Sequence, residues 1–302
     1  MDYFYELNSD CEKNLLLDLL KTKKKLYCDN GSFDKYSETG RLFQSLSCLI
    51  IKKRIFVNDM INVNVILLNF TTQKIRTVQN FEVWINDCMS TDEMESINYQ
   101  ILAFSQFLVE KNYIVFFRNL PIYLADNFDK IKTDFNVNIP FRIKTEIYSF
   151  DFENKQIQEH QIQGFQLNHI PIKNLETIIK NWKYGVVQDY DWIRNSIENF
   201  PSMGIWDASR NKMIGQFIYM ITGTHGSLTI DNEYRGRGLA KMLVLGTLKE
   251  IRQRNMEIFI DIEEGNVVSK CLFENLGFEK VTESIYLVFD KLGNIAIPGR
   301  DF

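Results

Sequence analysis

The sequence predicts an α/β protein of two domains, each with strands packed on amphipathic helices. Three observations predict it. The 302 residues fit two domains of roughly 100–200 residues each. Strand-length apolar runs alternate with segments of helical spacing. A polar stretch at 151–163, Asp-Phe-Glu-Asn-Lys-Gln-Ile-Gln-Glu-His-Gln-Ile-Gln, has too few apolar residues to bury much surface and reads as the connection. The expected division is therefore 1–155, a divergent N-terminal α/β domain, and 164–302, a C-terminal domain.

In the N-terminal half, the leucine-rich run 14–20 reads as a helix, while 49–57 and 63–69 read as strands. Residues 91–109 have helical spacing through Met94, Ile97, Ile101, Phe104 and Phe107, and 113–117 is a further strand. In the C-terminal half, 175–182 and 190–197 read as amphipathic helices, the second with Asp189 as its N-cap. Three strands at 202–207, 213–221 and 227–230, separated by turn residues at 207–211 and 222–226, read as an antiparallel meander. Residues 238–254 carry an apolar stripe of Ala240, Val244, Leu248 and Ile251, widened by Leu239 and Leu243. A strand at 258–262, a helix at 266–276 closed by Gly277, and a strand at 284–289 complete the chain.

Composition removes several classes of function. A 45% hydrophobic and 25% charged chain with 15 Gly and 5 Pro is neither disordered nor collagen-like. A net charge of −4 sets up no bulk field for nucleic acid or an anionic membrane. Cys11, Cys28, Cys48, Cys88 and Cys271 are odd in number, scattered and free of C-x-x-C spacing, and His160, His169 and His225 complete no H-E-x-x-H motif. Residues 1–6 lack the basic and apolar regions of a secretory signal, and no run of 18 apolar residues occurs. The expectation is a reduced, cytoplasmic, metal-free protein with neither nucleic-acid nor membrane partners.

The legible chemistry lies in Leu228-Thr229-Ile230-Asp231-Asn232-Glu233-Tyr234-Arg235-Gly236-Arg237-Gly238-Leu239-Ala240. A strand ends, a turn rich in Arg and Gly follows, and a helix begins. The first N–H groups of a helix have no intrahelical acceptor and form an anion site. Gly236 and Gly238 let a phosphate approach the backbone, and Arg235 and Arg237 add positive charge. That arrangement suits a pyrophosphate.

In its strand-turn-helix setting, the segment Arg235 to Ala240 resembles the phosphate-binding motif of the GNAT acyltransferase superfamily. A second signature, Asn266 after the next strand and the run Phe273-Glu274-Asn275-Leu276-Gly277-Phe278, follows in the family's order. Phe200-Pro201-Ser202, Trp206-Asp207 and Glu233-Tyr234-Arg235, with Asn232 where a proline is usual, narrow the resemblance to the glycine N-acyltransferases. Over the first half the likeness is in size and layout only.

The resemblance implies a GNAT fold, a mixed central sheet flanked by helices, and direct transfer of an acyl group from acyl-CoA or acetyl-CoA to the amine of a small acceptor such as glycine. A mitochondrial location is also compatible with it. It implies that Arg235, Gly236, Arg237, Gly238, Leu239 and Ala240 hold the CoA pyrophosphate, that Thr229 and Ile230 pair with the pantetheine and polarise the thioester carbonyl, and that Asn266 holds the pantetheine or the amide. Glu233 matches the family's proposed general base, which must take a proton because aliphatic amines are protonated at neutral pH. His225 is the competing base.

One departure concerns the leaving group: where many relatives have a proton-donating tyrosine, this chain has Phe273, so the thiolate leaves unassisted or with help from Ser269. Trp182, Trp192 and Trp206 are read as core anchors before an acyl pocket, and Cys271 as a buried small residue. Two other functions use the same donor site: a protein or peptide N-acetyltransferase, with Glu263 and Glu264 attracting a basic peptide, and a non-catalytic acyl-CoA-binding module.

Overall fold

The computed structural model divides the chain into two units, Met1–Thr145 with Glu283–Ile295, and Glu146–Thr282 with Ala296–Phe302. It describes residues 5–7, 54–57, 65–71, 78–85, 91–110, 114–122, 125, 126, 128, 138–182, 190–220 and 223–290. The expected helix at 14–20, the starts of the strands expected at 49–57 and 63–69, Asp189 and the side chain of Trp192 lie outside the described residues.

In the N-terminal unit, strands β1 (Tyr5–Leu7), β2 (Arg54–Val57), β3 (Val65–Thr71) and β4 (Val78–Ile85) pair antiparallel in sequence order. β5 (Ile114–Pro121) then runs parallel to β4, with Phe81 opposite Phe117. A parallel neighbour needs a crossover, and helix α1 (Thr91–Glu110) supplies it. Its inner face, Ile97, Ile101, Leu102 and Val109, packs with Val115, Phe117 and Leu120 of β5. Each such fully buried aliphatic contributes about 1.5–3 kcal/mol of burial. Parts of two further strands, 138–145 and 283–290, complete the unit, and in the second Ile285 stands opposite Leu120.

The elements that follow are β6 (Asn138–Ser149), β7 (Phe165–His169), α2 (Leu175–Asn181), α3 (Tyr190–Asn199), β8 (Met203–Asp207), β9 (Lys212–Tyr219), β10 (His225–Ile230), α4 (Leu239–Gln253), β11 (Phe259–Glu263), α5 (Val267–Asn275) and β12 (Glu279–Asp290). In the C-terminal unit the strand order is β12-β6-β11-β10-β9-β8-β7. β7 to β10 are antiparallel, whereas β10 and β11 are parallel, with α4 as the crossover. The sheet is therefore mixed.

Each face of this sheet has its own core. On one, Leu239, Met242, Leu243, Leu248 and Ile251 of α4 pack with Ile205, Ile214, Phe217, Ile230 and Ile260. On the other, Leu175, Ile178 and Ile179 of α2 and Ile193 and Ile197 of α3 pack with Met213, Ile218 and Met220, and Trp182 and Trp206 join this core as partly buried rings. The two tryptophans are thus packing residues, as expected.

β12 starts five residues before the expected 284, because Glu279-Lys280-Val281-Thr282-Glu283 is polar but extended against β6. Glu146 of β6 is 8% exposed and is held by Lys270 at 2.5 Å and Lys280 at 3.1 Å. Burial works against its charge, but the two ammonium groups outweigh it and keep its carboxyl below the usual carboxylate range. The polar stretch 151–163 is irregular and tied to the C-terminal unit. Lys155 donates to Gly277 O at 2.7 Å, Lys249 reaches Glu159 at 2.6 Å, and Ile157 and Ile162 pack on the α4 core.

Candidate active site

The site begins with a fault in β10. Gly226 stands opposite Ile218 and Thr229 opposite Gln216, so two residues, Ser227 and Leu228, face the single Phe217. This is a β-bulge, and Ser227 takes φ 54°, a left-handed conformation uncommon outside glycine. On the other side, β10 pairs with β11 at His225 opposite Ile260, although both strands continue, to Ile230 and Glu263. His225 and Ile260 form the register pair that joins the two parallel strands.

After Ile230 a short 3-10 turn, Asn232–Tyr234, carries the chain to α4. Tyr234 is 4% exposed, and its hydroxyl donates to Asp207 Oδ2 at 2.8 Å and accepts from Arg210 Nη1 at 3.1 Å. Arg235 folds back so that Nε donates to Ile230 O at 3.0 Å, and Arg237 Nη2 donates to Glu233 O at 3.0 Å with its guanidinium 5.3 Å from the Tyr234 ring centre. Gly236 and Gly238 have φ 74° and 76°, and Gly238 is the N-cap of α4 with no side-chain cap. The first helical N–H groups, those of Leu239, Ala240 and their successor, have no intrahelical acceptor, and at Gly236 nothing lies within 4 Å of where a Cβ would stand. At Gly238 a Cβ would meet His160 Nε2 at 3.2 Å, and that nitrogen is buried with no hydrogen-bond partner. His160, contributed by the polar stretch, gave no sequence signal beyond its rarity.

Thr229 and Ile230 sit on the strand past the bulge; Ile230 is 8% exposed and its side chain belongs to the α4 core. Asn266 is the N-cap of α5, and its Oδ1 accepts from Ser269 N at 3.1 Å. With the oxygen so engaged, Nδ2 is the donor that the amide has to offer. Glu233 is exposed in the turn, 3.5 Å from Lys212 Nζ and 3.8 Å from Arg210 Nη1. The structure thus places Glu233 at the turn, beside Arg210 and Lys212.

His225 does not suit the role of base. It is fully buried, with Nε2 at 3.1 Å from Pro201 O and the ring against Phe217 and Tyr219. Burial pushes its pKa down to about 3, only partly opposed by the Pro201 bond, so the ring is neutral and out of reach of an acceptor. Phe273 is 2% exposed and packed on Phe217 and Phe278. Cys271 is exposed on α5, contrary to the expectation of burial, because the helix turns Phe273 inward and leaves Cys271 on the solvent side.

The sequence reading missed Gln216. It is fully buried, and its Nε2 donates to Ser227 Oγ at 2.9 Å and Ile178 O at 3.3 Å. An amide interrupting the apolar run Met213-Ile214-Gly215-Gln216-Phe217-Ile218 was the available signal. Among the described residues, no three His, Cys, Asp or Glu side chains are grouped to hold a metal, and no helix is long and apolar enough to cross a membrane.

Residues 202–287 match the family model for FR47-like protein. A stretch of 66 residues is 35% identical to human N-acetyltransferase 8B, covering 22% of this chain and 29% of that protein. The chain thus spans less than a third of the curated relative it matches. Among solved structures, a Drosophila protein superposes with TM-score 0.75 at 13% identity, covering 96% of this chain and 99% of the other. A tandem GNAT protein from the clavulanic acid biosynthesis pathway superposes with TM-score 0.59 at 12% identity, covering 94% and 97%. The fold is that of the GNAT superfamily, with its mixed sheet of seven strands flanked by helices.

Proposed function

We propose that this GNAT-fold chain, FR47-like over residues 202–287, is an acyl-CoA-dependent N-acyltransferase that acylates the amine of a small acceptor such as glycine. The observation that carries the reading is the succession of a bulged strand parting from its parallel neighbour, a turn with two left-handed glycines, and an uncapped helix start. An extended thioester arm fits the strand edges, and a pyrophosphate fits the helix start.

In this mechanism Arg235, Gly236, Arg237, Gly238, Leu239 and Ala240 bind the pyrophosphate, and the backbone at Thr229 and Ile230 pairs with the pantetheine. An N–H of that strand stabilises the oxyanion as the amine attacks the thioester carbonyl. Asn266 supplies an N–H to the arm from the end of β11. Glu233 takes a proton from the incoming ammonium, so that nitrogen attacks with its lone pair. The narrower identity of the acceptor rests on the resemblance of Phe200-Pro201-Ser202 and Glu233-Tyr234-Arg235 to glycine N-acyltransferases.

The test is release of CoA thiol from acetyl-CoA and longer acyl-CoA donors with glycine, other amino acids, simple amines and basic peptides as acceptors. Turnover with glycine or another small amine is expected. Turnover with peptides alone moves the assignment to a peptide N-acetyltransferase; binding without any turnover makes the chain an acyl-CoA-binding module.

A further inference from the structure

The amide of Gln216 is oriented by its neighbours, with its buried Oε1 left without a hydrogen-bond partner. Ile178 O can only accept, so the nitrogen must face it, and the same nitrogen is 2.9 Å from Ser227 Oγ. Gln216 therefore donates to the serine, and Ser227 cannot spend its own proton on Gln216. One hydroxyl proton and one lone pair remain on Ser227 Oγ.

These two valences stand at a significant place. Ser227 is the first bulged residue of β10, two positions beyond the point where β10 and β11 pair at His225 and Ile260. It is held there in a left-handed conformation, φ 54°, that costs a non-glycine residue roughly 1–2 kcal/mol. Strain kept at a strand opening needs a reason. Meanwhile the aromatic ring of α5 that stands in the tyrosine's place, Phe273, is buried and has no proton to give.

We infer that Ser227 is a catalytic hydroxyl that relays the proton from the attacking nitrogen to the departing sulfur, with Gln216 as its positioning residue. The inference rests on the acyl-CoA reading above. Attack of a neutral primary amine on the thioester forms the C–N bond and leaves an adduct with a positively charged nitrogen, an oxyanion and an intact C–S bond. As the C–S bond breaks, its electron pair goes to sulfur. Sulfur takes the Ser227 hydroxyl proton, while Ser227 Oγ takes the surplus proton from nitrogen through its remaining lone pair. The products are the amide and the free thiol; the serine ends as it began, and no other acid or base is consumed.

The experiment compares Ser227→Ala and Ser227→Gly with the wild-type chain, measuring acetyl-CoA affinity by calorimetry and kcat by thiol release with the acceptor that the panel above finds best. Glycine adopts φ 54° freely, so Ser227→Gly keeps the bulge and removes only the hydroxyl. General acid–base groups contribute about 100-fold or more, so both variants should lose at least that factor in kcat while the acetyl-CoA Kd changes less than about threefold. Gln216→Met should lower kcat comparably with the acetyl-CoA Kd unchanged, a split that a purely structural loss of the bulge would not produce, and Gln216→Met with Ser227→Ala should be no slower than either alone. A Ser227→Gly variant with kcat within about threefold of wild type overturns the relay and leaves the acyltransferase reading intact. Wild-type protein that fails to bind acetyl-CoA, or binds it and turns over no amine, overturns both.

Discussion

Tyr234 donates its phenolic proton to Asp207 Oδ2 across 2.8 Å, and this bond ties the turn that carries Glu233 and Arg235 to the end of β8. Asp207 also accepts from the hydroxyl of Ser209 at 2.6 Å and its backbone N–H at 2.9 Å. The Ser209 hydroxyl, then Tyr234, hold the Asp207 carboxyl down at about 2.

A carboxyl that binds its proton less readily folded than unfolded stabilises the fold while ionised. That contribution is complete above the usual value of 3.8 and disappears as pH falls through about 2. Tyr234→Phe should therefore lower the urea midpoint at pH 7 and shrink the loss of stability below pH 3.8. Urea melts across that range check it, and an unchanged acid limb would refute the link.

His225 acts over a higher window. Its folded pKa of about 3 lies under the ordinary 6.5, so the unfolded chain takes up the proton first. Its contribution is complete above about 6.5 and declines as pH falls toward about 3. Replacing His225 by Gln, which can still donate to Pro201 O, should flatten the stability profile between those limits, as read from the pH dependence of the denaturant midpoint.

Glu233→Gln should lower kcat by about 100-fold if Glu233 takes the amine's proton, with acetyl-CoA Kd unchanged. Steady-state kinetics beside calorimetry separate the two quantities. A parallel fall in affinity would assign Glu233 to holding Lys212 and Arg210, its partners at 3.5 and 3.8 Å.

Gly238→Ala places a Cβ 3.2 Å from His160 Nε2 at a residue with φ 76°. Acetyl-CoA affinity should fall about tenfold or more, since the left-handed penalty alone is roughly 1–2 kcal/mol. Gly236→Ala, at φ 74° but with open space around it, should lose less. Calorimetric titration of both variants distinguishes steric closure of the turn from backbone strain.

A fragment of residues 151–302 lacks residues 146–149 of β6, the neighbour of both β11 and β12. With those ladder groups unpaired and Lys270 and Lys280 without Glu146, the fragment should fail to unfold cooperatively. Circular-dichroism melts of the fragment beside the full chain measure this.

Local pattern was enough for the elements whose apolar spacing shows which side is buried: α2, α3, α4, the β8 to β10 meander, β11 and α5 were readable, as was the glycine and arginine turn. β6 also alternates, through Ile139, Phe141, Ile143 and Ile147, and is legible by the same rule. β4 and β7 were missed because Val78 and Trp84 put apolar residues on the same face of β4 as Asn80 and Glu82, and because β7 has only five residues.

What the amino-acid order determined by itself is a helix start preceded by two glycines and two arginines, because that pattern resides in six consecutive residues. Tertiary structure alone decided the bulge at Ser227, the burial of His225, and the arrival of Gln216 and His160 beside the site. Each depends on groups 11 to 78 positions apart, Pro201 and His225, Gln216 and Ser227, and His160 and Gly238, and only packing brings them within hydrogen-bonding or van der Waals reach.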